Sequence, residues 1–150
     1  NIQSESNYHM LCHIAKLVNE GFFYDGCRIR GIPVQIGGTS YVPPLPIESV
    51  VIEQIDEIRS QDKEPIEIAI ELCMYCMKTQ VFKDGNKRAS VIFANHYLIA
   101  QGMGFLVIPE KAVPEFKKLL VQYYEGEPLE VIGAFLKERC WKNFYNVIET

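Results

Sequence analysis

Two stretches of this chain, PIEIAIELCMYCMKT at 65–79 and KRASVIFANHYLIAQ at 87–101, are each about four helical turns long and apolar on almost every side. In the first, Glu67, Glu71 and Lys78 interrupt the apolar pattern, and they fall within roughly 40° of one another on a helical wheel. A helix with one narrow polar stripe is stable only when the rest of its circumference is buried. A short loop, VFKDGN at 81–86, joins the two stretches, so they pack antiparallel at the centre of a bundle. Everything else in the chain must cover that pair.

The remaining sequence supplies the cover. Residues 8–20 predict a helix with Leu11, Ile14, Ala15, Leu17 and Val18 at helical spacing, Asn7 as its cap and Gly21 as its stop. Further amphipathic helices are predicted at 46–60, with Pro46 in the first position, at 109–124 and at 128–139. Residues 27–42, CRIRGIPVQIGGTSYV, alternate in the manner of strands and predict a small hairpin turning at Arg30–Pro33 or at Gly37–Gly38. The proline-rich PPLP after it is a stiff extended connector. The fold class is therefore mainly α, a bundle of about six helices with one small β-hairpin. With 150 residues and no linker-like or repeated segment, one domain spanning 1–150, with its core at about 8–139, is expected.

Composition narrows the function. A net charge of −4 and a pI near 5.4 argue against a protein that wraps nucleic acid over a broad basic face. No apolar run approaches the ~20 residues that span a bilayer, and the polar start NIQSESNY lacks a signal-peptide layout. Five irregularly spaced cysteines suit a reducing compartment better than a disulfide framework, and Cys73 and Cys76 read as small core residues within an apolar helix.

The loop between the central helices carries the chemistry. In VFKDGNKR, Gly85 permits a left-handed backbone, and successive amides there form an anion-binding nest. The following helix contributes unsatisfied N–H groups and its positive dipole end. Lys87 and Arg88 add full charges in the first turn, where the dipole alone disfavours them. Asp84 could hold a divalent cation bridging phosphate oxygens, Asn86 could hydrogen-bond a phosphate oxygen, and Phe82 anchors the loop to the core. The same residues also make an ordinary turn and helix start.

The run Phe82-x-Asp84-Gly85-Asn86-Lys87-Arg88, between two buried helices, resembles the loop of the Fic/Doc family (Fic domain), which reads His-x-Phe-x-Asp/Glu-Gly/Ala-Asn-Gly/Lys-Arg. The upstream RIRGIPVQIGG and the YVPPLP connector resemble that family's flap. The resemblance implies a helical protein that binds ATP with Mg2+ and moves AMP onto a Ser, Thr or Tyr hydroxyl of a target protein. It places the metal on Asp84, the phosphates on Gly85, Asn86 and the amide of Lys87, and the outer phosphates on Arg88. Ile32, Val34, Gln35 and Ile36 would hold the target segment as an added strand. It also implies a bacterial cytoplasmic protein or an exported effector.

Three positions depart from the family pattern. Gln80 stands where the family has the histidine that takes the proton from the attacking hydroxyl, and an amide cannot accept a proton near neutral pH. The expected protein is thus either a slow transferase or a nucleotide- and partner-binding module with little catalysis. Lys87, in place of the commoner Gly, resembles the Doc branch and raises phosphate transfer as a third reading. Val91 replaces a second arginine, and the family's inhibitory Ser/Thr-x-x-x-Glu-Gly/Asn pattern is missing from these 150 residues, so inhibition would come from a separate protein or from a segment outside this sequence. His96 lies two turns into the second central helix and is expected to pack or cap locally.

Overall fold

In the computed structural model, which describes residues 4–19 and 28–143, the two apolar stretches form helices α3 (Pro65–Thr79) and α4 (Asn86–Ala100). They pack against each other along their length at the centre of the molecule. Leu72, Met74 and Met77 of α3 and Phe93 and Leu98 of α4 are completely buried between them and their neighbours. Pro65 opens α3 at a position where its missing N–H costs nothing. Gly102, with φ 71°, follows the C-cap of α4 in a left-handed conformation.

Four helices cover the pair: α1 (Tyr8–Val18), α2 (Glu48–Arg59), α5 (Val113–Tyr124) and α6 (Leu129–Phe135). Leu11, Ile55, Leu120 and Ile132 are among their most deeply buried contributions to one continuous core. The Asn7 side chain caps α1 by accepting the Met10 N–H at 3.0 Å. The predicted stop at Gly21 and the thiol of Cys27 lie outside the described residues. A turn of 3-10 helix, Glu110–Ala112, leads into α5, and a π-helical turn, Leu136–Cys140, extends α6. Helix α2 begins at Glu48, two residues later than Pro46 had suggested. The Pro44 carbonyl turns sideways to accept from Arg30, and the connector stays extended through Ile47.

The mainly helical class is as expected, but the small sheet lies elsewhere than expected. Phe105–Leu106 pairs antiparallel with Trp141–Lys142, Phe105 opposite Lys142 and Leu106 opposite Trp141. Both ends of the Asn95 side-chain amide bind the Leu106 main chain and hold the pair against α4. Residues 28–47 contain no strand, which corrects the hairpin expected at 27–42. Pro33, Pro43 and Pro44 have no N–H to give a ladder. Other partners take up the segment's polar groups: Arg30 N–H reaches Val81, Tyr41 N–H reaches Thr39 Oγ1, and Thr39 reaches Glu125. The result is an open loop, turning at Gly37–Gly38 with Gly38 at φ 85°, that lies across one end of the bundle.

Candidate functional site

That end of the bundle is where α3 stops and α4 starts. Gln80 caps α3 in a left-handed conformation (φ 51°, ψ 62°), which among the described residues no other non-glycine adopts. The chain then runs through Val81 and Phe82, both buried, so Phe82 anchors the loop as predicted. Asp84 folds its carboxylate back to accept the Gly85 N–H at 2.7 Å. Gly85 follows with φ 74° as the N-cap of α4.

Space as well as conformation requires glycine at 85. A Cβ there would lie 2.7 Å from Asn19 Oδ1 and 3.1 Å from Val18 Cγ1. Asn19, buried at the end of α1, donates to the Asp84 carbonyl at 3.1 Å. Helix α1 thus braces the loop from behind and leaves its front open.

Asn86 holds the loop from inside. Its side chain is buried, accepts the Phe82 N–H at 2.9 Å, and donates to the Phe82 carbonyl at 2.7 Å and to Gln80 Oε1 at 3.2 Å. Both amide hydrogens are consumed, so the side chain cannot serve a phosphate oxygen as the sequence had suggested. What Asn86 can still offer an anion is its backbone N–H. The first bond of the α4 ladder runs from Ala89 to Gly85, so the N–H groups of Asn86, Lys87 and Arg88 have no intrahelical acceptor.

In front of these groups lies an open cavity of about 340 Å³. Gln80 and residues 83–88 form one wall, and Val34, Gln35, Ile36 and Gly37 form the other. Of the four residues expected to hold a target segment, Val34, Gln35 and Ile36 face this space, while Ile32 is exposed outside its lining. Three cations, Lys83, Lys87 and Arg88, stand around it with one carboxylate, Asp84. In a chain of net charge −4 this is a local positive site. Oriented N–H groups, a helix N-terminus and cationic side chains are the features that favour an anion, and the volume suits a small ligand.

Gln80 sits at the inner edge of the cavity with its side chain engaged at both ends. Its Nε2 donates to the Met77 carbonyl at 2.6 Å, and its Oε1 accepts from Asn86. Val91 is packed against the core. His96 is buried on the far side of α4, where its ring meets the Ser6 hydroxyl. Cys73 and Cys76 are buried core residues, and burial pushes the Cys73 thiol up to about 12. Among the described residues no three metal-ligating side chains come together, and no helix is long and apolar enough to cross a membrane.

Two residues of the site were not foreseen. Asn19 is one. The other is Arg30, whose guanidinium is buried against the last turn of α3, where desolvation lowers its pKa. Neither belongs to a pattern that spacing reveals, because each works on main-chain carbonyls distant in sequence.

A helical bundle with a tight, cation-flanked loop between its two central helices, faced by a crossing loop, is the class of protein these features define. The model of the Fic/DOC family matches residues 6–98, and the chain belongs to that family. The match spans α1 to the last turn of α4 and includes the whole cavity, and it leaves α5 and α6 outside. A comparison with curated proteins gave no match.

Proposed function

We propose that this Fic-type protein transfers AMP from ATP, held with Mg2+, onto a Ser, Thr or Tyr hydroxyl of another protein, slowly because Gln80 is not a base. The observation that carries the reading is the cavity between Val34–Gly37 and Gln80–Arg88, lined by three cations and one carboxylate. The donor set fits a magnesium triphosphate. One carboxylate oxygen of Asp84 is committed to Gly85, leaving the other for a metal. Magnesium is content with one carboxylate when phosphate oxygens and water complete its six positions.

Bound there, the metal supplies charge neutralisation on the phosphates. The chain does the rest. The N–H groups of Asn86, Lys87 and Arg88 point at the phosphates along the α4 dipole, and the side chains of Lys87 and Arg88 meet their outer oxygens. The exposed main chain of Val34–Ile36 holds the target segment by strand addition, which gives affinity with little sequence preference. The target hydroxyl oxygen bonds to the α-phosphorus, pyrophosphate leaves, and the hydroxyl proton goes to water. Gln80 stands near that proton, but an amide cannot take it. A missing general base slows the step by ~10²–10⁴-fold, while positioning and electrostatics persist.

The paired hydrogen bonds of Gln80 favour a second reading, a nucleotide-binding module that acts through partners. One experiment separates them. Wild type and Gln80→His are incubated with Mg2+, a cell lysate and ATP labelled at either the α or the γ phosphate. Transfer of α label, much stronger in Gln80→His, is the expected result. Label in the variant alone assigns the natural protein to the second reading, and label from γ alone indicates phosphate transfer. Absence of both nucleotide binding and transfer in either protein refutes the proposal.

A further inference from the structure

Arg30 is 4% exposed and opens the loop that faces the phosphate site. Its Nη1 donates to the Ile32 carbonyl at 2.9 Å and its Nη2 to the carbonyls of Pro44 at 2.8 Å and Thr79 at 3.3 Å, while Nε donates to Gln80. Its own N–H reaches the Val81 carbonyl at 3.0 Å. Ile32 and Pro44 are the two legs of the loop. Thr79 and Gln80 are the end of α3, whose last carbonyls have no helical donor and carry the negative end of the dipole. Among the described residues no carboxylate pairs with Arg30. A guanidinium spent entirely on main-chain carbonyls fixes directions, because its fork is planar and its donors are rigidly spaced, which a lysine cannot copy.

We propose that Arg30 is a positioning residue for the protein substrate: by tying both legs of the loop to the end of α3, it sets the height of Val34–Ile36 above the Gly85–Arg88 amides. It touches neither nucleotide nor target. Its consequence for catalysis rests on the transferase reading above, since a hydroxyl delivered by the loop must arrive within ~3–3.5 Å of the phosphorus. The clamp itself does not rest on that reading.

The test uses Arg30→Lys and Arg30→Gln, alone and combined with Gln80→His. Thermolysin cleavage within residues 32–42, located by mass spectrometry, is expected to accelerate at least about tenfold, while the melting temperature falls by no more than about 5 °C. The Kd for Mg-ATP should stay within about twofold. In the Gln80→His background the saturating rate of label transfer should fall at least about tenfold, because a displaced loop delivers the hydroxyl out of reach of the phosphorus. Unchanged cleavage overturns the proposal. So does loss of ATP affinity in step with melting temperature, which would make Arg30 a general folding residue. If Arg30→Gln does not fold, Arg30→Lys carries the test. If Gln80→His transfers no label, the transferase reading fails separately, and cleavage with ATP affinity still decides the clamp.

Discussion

Replacing Gly85 by alanine tests the construction of the loop most directly, because two independent costs meet at one atom. The first is conformational: φ is 74°, and an L-residue held there loses ~1–2 kcal/mol. The second is steric: the new methyl would sit 2.7 Å from Asn19 Oδ1 and 3.0 Å from its Nδ2, so the Asn19 side chain must move. Moving it breaks its bond to the Asp84 carbonyl, and leaving the buried Asn19 amide unpaired costs about 1–3 kcal/mol more. The total, about 2–5 kcal/mol, is a large part of the ~5–15 kcal/mol by which a domain of this size is stable. At ~2–4 °C per kcal/mol the melting temperature should fall by roughly 4–20 °C. The two costs separate in a double-mutant cycle. Asn19→Ala removes the obstructing amide, so in that background Gly85→Ala should cost only the conformational part, about 1–2 kcal/mol. Thermal and urea unfolding followed by circular dichroism give all four corners. Equal costs of Gly85→Ala in both backgrounds, or a melting temperature unchanged by it, would refute the close packing of α1 against the loop.

Other perturbations should separate binding from stability. Lys87→Ala and Arg88→Ala alter exposed side chains, so stability should change by no more than ~0.5 kcal/mol. Mg-ATP affinity should nevertheless fall about ten- to a hundredfold in calorimetric titration, with a shallower salt dependence. Asn86→Asp sets a carboxylate against the Phe82 carbonyl and Gln80 Oε1, replacing two donated bonds by repulsions. A loss of about 2–4 kcal/mol in urea unfolding at neutral pH is expected, partly recovered where the acid is protonated. Finally, burial raises the thiols of Cys73 and Cys76 above their usual value near 9, Cys73 to about 12. The folded chain then keeps protons that the unfolded chain releases. Stability should be constant below about pH 8.5 and fall above it, by about 1.4 kcal/mol per pH unit for each thiol. Urea midpoints at pH 8 and pH 10 measure this, and Cys73→Ala should reduce the slope.

The central pair, its antiparallel packing and four covering helices were legible in the sequence, because burial on nearly all sides leaves an apolar pattern that no exposed helix carries. The loop was legible too: Asp-Gly-Asn before a helix favours a turn in which glycine takes the left-handed conformation, and Gly85 indeed lies at φ 74°. The sheet was not, since two-residue strands at 105–106 and 141–142 have no periodicity and pair across most of the C-terminal third of the chain. The strand alternation of Ile32, Val34 and Ile36 misled for a related reason. Alternation reports which side chains share a face, whereas a ladder needs a partner main chain, and Arg30 had already claimed the carbonyls of Ile32 and Pro44.

The role of Asn86 marks the same boundary. As a residue type it could donate to a phosphate or to its own loop, and only the positions of Phe82 and Gln80 assign its hydrogens to the loop. The sequence alone determined that a chain of this pattern buries two helices and opens a left-handed turn between them, because local backbone preference and hydrophobic burial act on neighbouring residues. Tertiary structure alone decided what braces and faces that turn. Asn19, Arg30 and Val34–Gly37 reach it through contacts to main-chain atoms and open space, which no side-chain pattern encodes.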